Sequence, residues 1–267
     1  MRSGIIPVLQ GRERGKKKYK KRGVLKKDQQ CYFSKTLIKA ASNYTPMVDA
    51  DCVMVICAHS DDQIFGAGGT IAKYALEGKK IVTVILSYGE DSLPWFQEKI
   101  TVNLRVKESH RVDRVLGGSG VYFFHLGEGR FLEDAEERGV YRYLVKLMKI
   151  HKPCRVITHS ENDIHSDHRQ TLSIVKKALA KSRFSTELYC FDVWSAFTFK
   201  HRDIPHLYVD ISDTFETKIK LLKMFKSQWL SLMILLWSVY LRALLYGFNA
   251  NCKYAERFYR LDWQGGH

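Results

Sequence analysis

Residues 52–69 read CVMVICAHSDDQIFGAGG, and three textures follow one another along them. Cys52–Ala58 is a continuous apolar, β-branched run, the composition of a strand covered on both faces in a parallel sheet. His59-Ser60-Asp61-Asp62 then sets an imidazole and two carboxylates just past its carboxyl end. Helical spacing begins at Gly66, runs to Leu76 and stops at Gly78. The alternation repeats downstream. Strands are expected at Lys80–Ser87, Val121–His125, Arg155–His159, Leu188–Val193 and Leu207–Ile211. Helices are expected at Val102–Leu116, Ala135–Ile150 and His168–Ala180, with a C-terminal helical region over about 213–247. Such a pattern predicts an α/β fold: a Rossmann-like, mostly parallel sheet with helices on both faces, as a single domain over 46–267. Ligands of such sheets bind beyond the carboxyl ends of the strands.

The fourth expected strand ends at His159 and leads into Asn162-Asp163-Ile164-His165-Ser166-Asp167-His168. Two strand ends thus bring imidazoles and carboxylates to one edge. That donor set suits zinc or another borderline divalent ion. Taken singly, an Asp after a strand is more often a helix cap or turn residue, and Asp167 could cap the helix that follows. Two clusters on one edge, with Asp61 and Asp62 adjacent, favour the metal reading. Gly66-x-Gly68 resembles a dinucleotide fingerprint, but Ile71 stands at the third glycine position. Asp61 and Asp62 would also repel a pyrophosphate. The glycines are therefore read as a tight turn and close helix packing.

Beyond this core, residues 1–27 hold eleven basic side chains against the single acid Glu13, out of a formal net charge of +15. Residues 1–45 are expected to form a flexible basic arm, and the remainder is only mildly basic. The arm carries Tyr19 as its one aromatic before residue 28, too few stacking groups for a nucleic-acid binder. With 45% apolar residues the chain can bury a core. Six scattered cysteines without a C-x-x-C pair suggest a reducing, cytoplasmic compartment. No apolar stretch or cleavage site follows the basic N-terminus, so a secretory signal is not expected. Trp229–Leu241 (WLSLMILLWSVYL) is too short to span a bilayer, and Arg242 interrupts the apolar run. It is expected to be a buried helix or a homo-oligomer interface. Peripheral contact with a lipid surface, aided by the basic arm, is the alternative.

His59-Ser60-Asp61-Asp62 with Gly68-Gly69, and His165-Ser166-Asp167-His168, resemble the A-H-P-D-D…G-G and H-P-D-H motifs of the LmbE-like, or PIG-L, N-deacetylase family. Arg105-x-x-Glu108, Lys218…Ser227-Gln228 and Tyr254-Ala255-Glu256-x-Phe258 resemble that family's R-x-x-E, K…S-Q and Y-A-E-x-F motifs, in the same order over most of residues 51–260. Serines replace the usual prolines at Ser60 and Ser166, and Gln63 stands where glutamate is common.

The resemblance implies zinc, or Fe2+ in its place, held by His59, Asp62 and His168. It implies Asp61 as general base, and His165, protonated and oriented by Asp167, as the group that stabilises the oxyanion. Arg105 would reach substrate, although a surface helix arginine is the plainer reading. The implied substrate is an N-acetylglucosamine-type sugar: free, oligomeric, or thiol- or lipid-linked. Tyr88, Trp95 and Phe96 are candidate platforms for its ring. Two alternatives stand beside this: a non-catalytic carbohydrate- or lipid-binding relative, and a nucleic-acid-associated protein acting through the arm.

Overall fold

A computed structural model describes residues 51–89, 98–182, 185–194 and 206–262. The expected basic arm lies outside them. Strand β1 (Cys52–Cys57) is followed by α1 (Asp62–Leu76), β2 (Lys80–Ile85), α2 (Glu98–Leu116) and β3 (Val121–Phe123). Then come α3 (Phe131–Glu137), α4 (Val140–His151), β4 (Pro153–His159), α5 (Ser166–Ser182) and β5 (Glu187–Phe191). Strand β6 (His206–Asp210), α6 (Phe215–Leu222), α7 (Trp229–Asn249) and β7 (Ala255–Leu261) complete the order. The seven strands form one sheet, β3-β2-β1-β4-β5-β7-β6. Pairs β1–β2, β2–β3, β1–β4 and β4–β5 are parallel, while β7 runs antiparallel to both neighbours.

Every residue of β1 is buried, which explains its unbroken apolar run. Val53 and Val55 face a core shared with α1, α2, α6 and α7. Met54 and Ile56 point the other way and are equally buried. Helix α5 packs on β4 and on α4, and neither helix enters the first core. Each buried aliphatic side chain contributes roughly 1.5–3 kcal/mol. Successive strands are added on one side of β1 (β2, β3) and then on the other (β4, β5). The order of strand addition therefore reverses between β1 and β4, and the crevice at that reversal is where such sheets bind ligands.

Four expectations change. The glycine-rich stretch makes no turn: α1 begins at Asp62, and the glycines lie within it. A Cβ on Gly66 would fall 2.0 Å from the Phe191 ring, and one on Gly69 would fall 2.7 Å from Ile211 Cδ1, so the close-packing half of the reading holds. The single helix expected over 135–150 is two, α3 and α4, because Gly139 adopts φ +64° between them. The C-terminal region breaks after Leu222, passes through a 3₁₀ turn at Lys226–Gln228, and ends in β7, which was not anticipated as a strand. Finally, α7 is not a buried helix. Leu235, Val239, Arg242, Ala243 and Gly247 are buried, whereas the opposite face is exposed and apolar.

Candidate metal centre

The carboxyl ends of β1 and β4 meet through a side chain: the Ala58 N–H donates to His159 Nε2 at 3.0 Å. Past β1, Asp61 and Asp62 sit at the start of α1, where a helix N-terminus favours carboxylates. Past β4, the loop to α5 carries Asp163 and His165, and the first turn of α5 carries Asp167 and His168. Asp61, Asp62, Asp163, Asp167, His159 and His168 are all buried.

Asp62 is the hub. Its Oδ2 accepts the His59 N–H at 2.7 Å and lies 3.5 Å from His59 Nδ1, and its Oδ1 is 3.4 Å from His168 Nε2. His59, Asp62 and His168 each offer a ligand atom, and these atoms lie within 4.8 Å of one another. His168 Nε2 is buried and makes no hydrogen bond, which suits a metal-ligand atom. This group can hold a metal.

The electrostatics separate the two adjacent carboxylates. Burial alone would lift both. For Asp62, His168 and His159 outweigh burial and hold the carboxyl well below its ordinary range. Asp61 is lifted to about 7 by burial and by the charge of Asp62, against the opposing pull of Arg105 and His59. With its amide nitrogen turned inward, Gln228 donates to Asp61 Oδ2 at 3.1 Å and Oδ1 at 3.2 Å.

His165 lies beside His59 and His168, with ring centroids 5.2 and 4.7 Å away. The expected orientation by the Asp167 carboxylate does not form. That carboxylate instead accepts the Gly129 N–H at 2.9 Å and approaches His59 Nε2 at 3.5 Å. His165 Nδ1 accepts the Asp167 backbone N–H at 3.3 Å, leaving its proton on Nε2. Burial, then His168 and His59, lower its proton affinity, so the imidazole is favoured as the neutral form rather than the cation.

Arg105 is buried, which rules out the surface reading. Its Nη1 donates to the carbonyls of Tyr88 at 2.8 Å and Gly89 at 2.5 Å, holding the segment after β2. Tyr88 is no exposed platform: it is buried and stacks on Phe123 at 5.3 Å. Trp95 and Phe96 lie outside the described residues. Gln63 Oε1 accepts the Cys57 thiol at 3.6 Å.

Three residues were quoted in the sequence without a role. Asp163 Oδ2 stands 3.1 Å from His168 Nδ1 and accepts the Val193 N–H at 2.8 Å, while its Oδ1 accepts the His165 N–H at 3.0 Å. It fixes a candidate ligand and the loop before it. His159 stacks on His168 at 3.8 Å. Gln228 sits on Asp61 as described. A carboxylate five residues before a candidate histidine ligand was the available signal for Asp163. For Gln228 the signal was its place in the K…S-Q motif, which does not say that it meets Asp61.

Residues 54–179 match the family described as PIG-L: GlcNAc-PI de-N-acetylase. A diacetylchitobiose deacetylase of Thermococcus kodakarensis is 27% identical over 227 residues, 79% of this chain and 83% of that protein. A 4-oxalmesaconate hydratase of Pseudomonas putida is 28% identical over 132 residues, 47% of this chain and 50% of the relative. The structure of an N,N'-diacetylchitobiose deacetylase from Pyrococcus horikoshii, in complex with an inhibitor, shares the fold with a TM-score of 0.68 at 22% identity, covering 86% of this chain and 91% of the other. The family match spans both strand ends that build the metal centre, and the likeness to the T. kodakarensis protein covers more of the chain. The segment that builds the metal centre, residues 54–179, is thus a match to the PIG-L, or LmbE-like, family.

Proposed function

We propose that this protein is a metal-dependent N-deacetylase that hydrolyses the acetamide of an N-acetylglucosamine-type sugar, with Zn2+, or Fe2+ in its place, held by His59, Asp62 and His168. The observation that carries the reading is the convergence of His59, Asp62 and His168 ligand atoms within 4.8 Å of one another, with the Asp61 carboxylate adjacent in the chain. Adjacent carboxylates whose surroundings push their proton affinities apart divide the labour, one remaining an anionic ligand and the other exchanging protons near neutrality.

A divalent ion in that place supplies Lewis acidity and a water acidified to about pKa 7. Asp61 takes the proton of the attacking water and returns one to the amide nitrogen as the C–N bond breaks. Gln228 fixes the Asp61 carboxylate by donating to it. His165, carrying its proton on Nε2, donates to the carbonyl oxygen as negative charge develops there. Asp167 steadies His59 and the segment at Gly129. Arg105 shapes the rim by holding Tyr88 and Gly89.

The likeness to the hydratase supports a second reading, addition of water to an unsaturated carboxylate, for which an activated water and a general base would equally serve. Acetate release separates the two. Zinc-loaded protein is assayed on free N-acetylglucosamine, its chitobiose and its inositol-linked and lipid-linked glycosides, with Asp61→Asn as control. Release by the wild type alone supports the deacetylase. Silence across the panel with metal bound overturns it, and the hydration substrate is then assayed.

A further inference from the structure

Helix α7 has two apolar faces. Leu235, Val239, Arg242, Ala243 and Gly247 form the buried one, at the spacing i, i+4, i+7, i+8, i+12. That face is locked to the domain: Arg242 Nη1 donates to the Asp192 carbonyl at 2.8 Å, and a Cβ on Gly247 would fall 2.7 Å from the carbonyls of Cys252 and Lys253. On the other side Leu230, Met233, Ile234, Trp237, Leu244 and Phe248 form a second stripe along the helix, with Trp237 57% and Phe248 84% exposed. Helix α7 with the turn before it, Lys226–Asn249, is long and apolar enough to cross a membrane. Its locked face forbids crossing, because the domain would have to release it. A helix held along one side, with apolar groups along the other, is built to lie in an interface.

Charge selects the occupant. From Thr217 to Ala255 the chain contains no acidic residue. Lys220, Lys223 and Lys226 before the helix and Lys253 after it are exposed. A two-fold contact between copies through this face would set one cationic segment against another without a carboxylate of its own to answer it. An anionic lipid surface answers both features at once: its acyl region takes the apolar stripe and its headgroups take the lysines. Trp229 and Trp237 suit that boundary, where amphipathic rings concentrate. We propose that the exposed face of α7 is a docking surface for anionic membranes. Because Gln228 immediately precedes α7 and donates to Asp61, the docked helix begins one residue from the metal centre.

The full chain is sedimented with vesicles of phosphatidylcholine alone and with one part in three phosphatidylglycerol. We expect binding to the anionic vesicles, weakened between about 0.1 M and about 0.5 M salt. Met233→Ser combined with Trp237→Ser should lower that binding at least about tenfold without moving the unfolding midpoint. Neutralising Lys220, Lys223 and Lys226 to Gln should lower it about fivefold for each lysine. Brominated acyl chains should quench the wild-type tryptophan emission, and less so in Trp237→Phe. Absence of vesicle binding overturns the proposal. So does a serine variant that binds like wild type, which would place the contact elsewhere in the chain. A wild-type dimer that ignores vesicles and dissociates in the serine variant would give the face to a second copy.

Discussion

Two of the buried clusters of charge among the described residues differ in whether they are complete. Lys218 and Glu256 make the closed one. Lys218 Nζ donates to Glu256 Oε1 at 2.6 Å and to the Phe65 carbonyl at 2.9 Å. The Glu256 carboxylate also accepts the N–H groups of Gly69 at 2.9 Å and Thr70 at 2.8 Å. The pair thereby ties α6 and β7 to the middle of α1. The metal centre is the open one: His168 Nε2 and His159 Nδ1 are buried without a hydrogen bond, and Asp62 is shared among three imidazoles. Both clusters bear the cost of burying charge. The closed pair recovers it from the fold, whereas the open one needs a ligand.

Four tests bear on that distinction. The largest effect is expected at the open cluster. Asp61→Asn should lower kcat/KM about 100- to 10,000-fold while metal content stays at the wild-type stoichiometry. Loss of metal from this variant would make Asp61 a ligand and redraw the centre. At the closed cluster, Lys218→Met should cost about 3–5 kcal/mol in urea unfolding, because it strands the Glu256 charge. Adding Glu256→Gln should recover part of that cost. A single variant as stable as wild type would show that the pair does not brace the fold.

Asp163→Asn probes the boundary between the two kinds of cluster, since Asp163 serves both a candidate ligand and the loop backbone. Metal affinity measured by chelator competition should fall about 10- to 100-fold. A fall in stability with unchanged affinity would move Asp163 to the architectural side.

Asp113 is a half-buried carboxylate belonging to neither cluster, and desolvation lifts it to about 7 despite a hydrogen bond from the Gly120 backbone. In the unfolded chain it titrates near about 3.9. Between those values the folded state holds the proton more tightly, so stability falls as pH rises from about 4 to 7. Asp113→Asn should flatten that slope, the smallest of the four effects. Equal urea midpoint shifts between pH 5 and pH 8 in both proteins would remove Asp113 from the balance.

Much of this was legible in the sequence because it is local. The buried parallel strands announce themselves as apolar runs, and the residues after β1 and β4 reach one edge because parallel strands end on the same side. Lys218 and Glu256 were both visible as motif residues, yet nothing along the chain says that they pair with each other. Strand β7 escaped because AERFYRL mixes buried Glu256 with exposed Arg260, as an antiparallel strand in mixed surroundings does. Tyr88 looked like a sugar platform because an aromatic residue after a strand reads the same whether it stacks on Phe123 or on a ligand. The two faces of α7 are both apolar, so periodicity could not separate the buried one from the exposed one.

The placement of β7 between β5 and β6 bears on how the chain is made. The ribosome delivers β6 first and β7 forty-five residues later, Asp210 to Ala255. At about 5–20 residues per second, β6 waits roughly 2–9 seconds for its only sheet partner among the described strands. Over the same interval β5 presents an unpaired edge to the nascent chain's surroundings. The carboxylate that braces α1 arrives with that final strand. Completion of the sheet and bracing of α1 thus wait until β7 follows the apolar helix α7 off the ribosome.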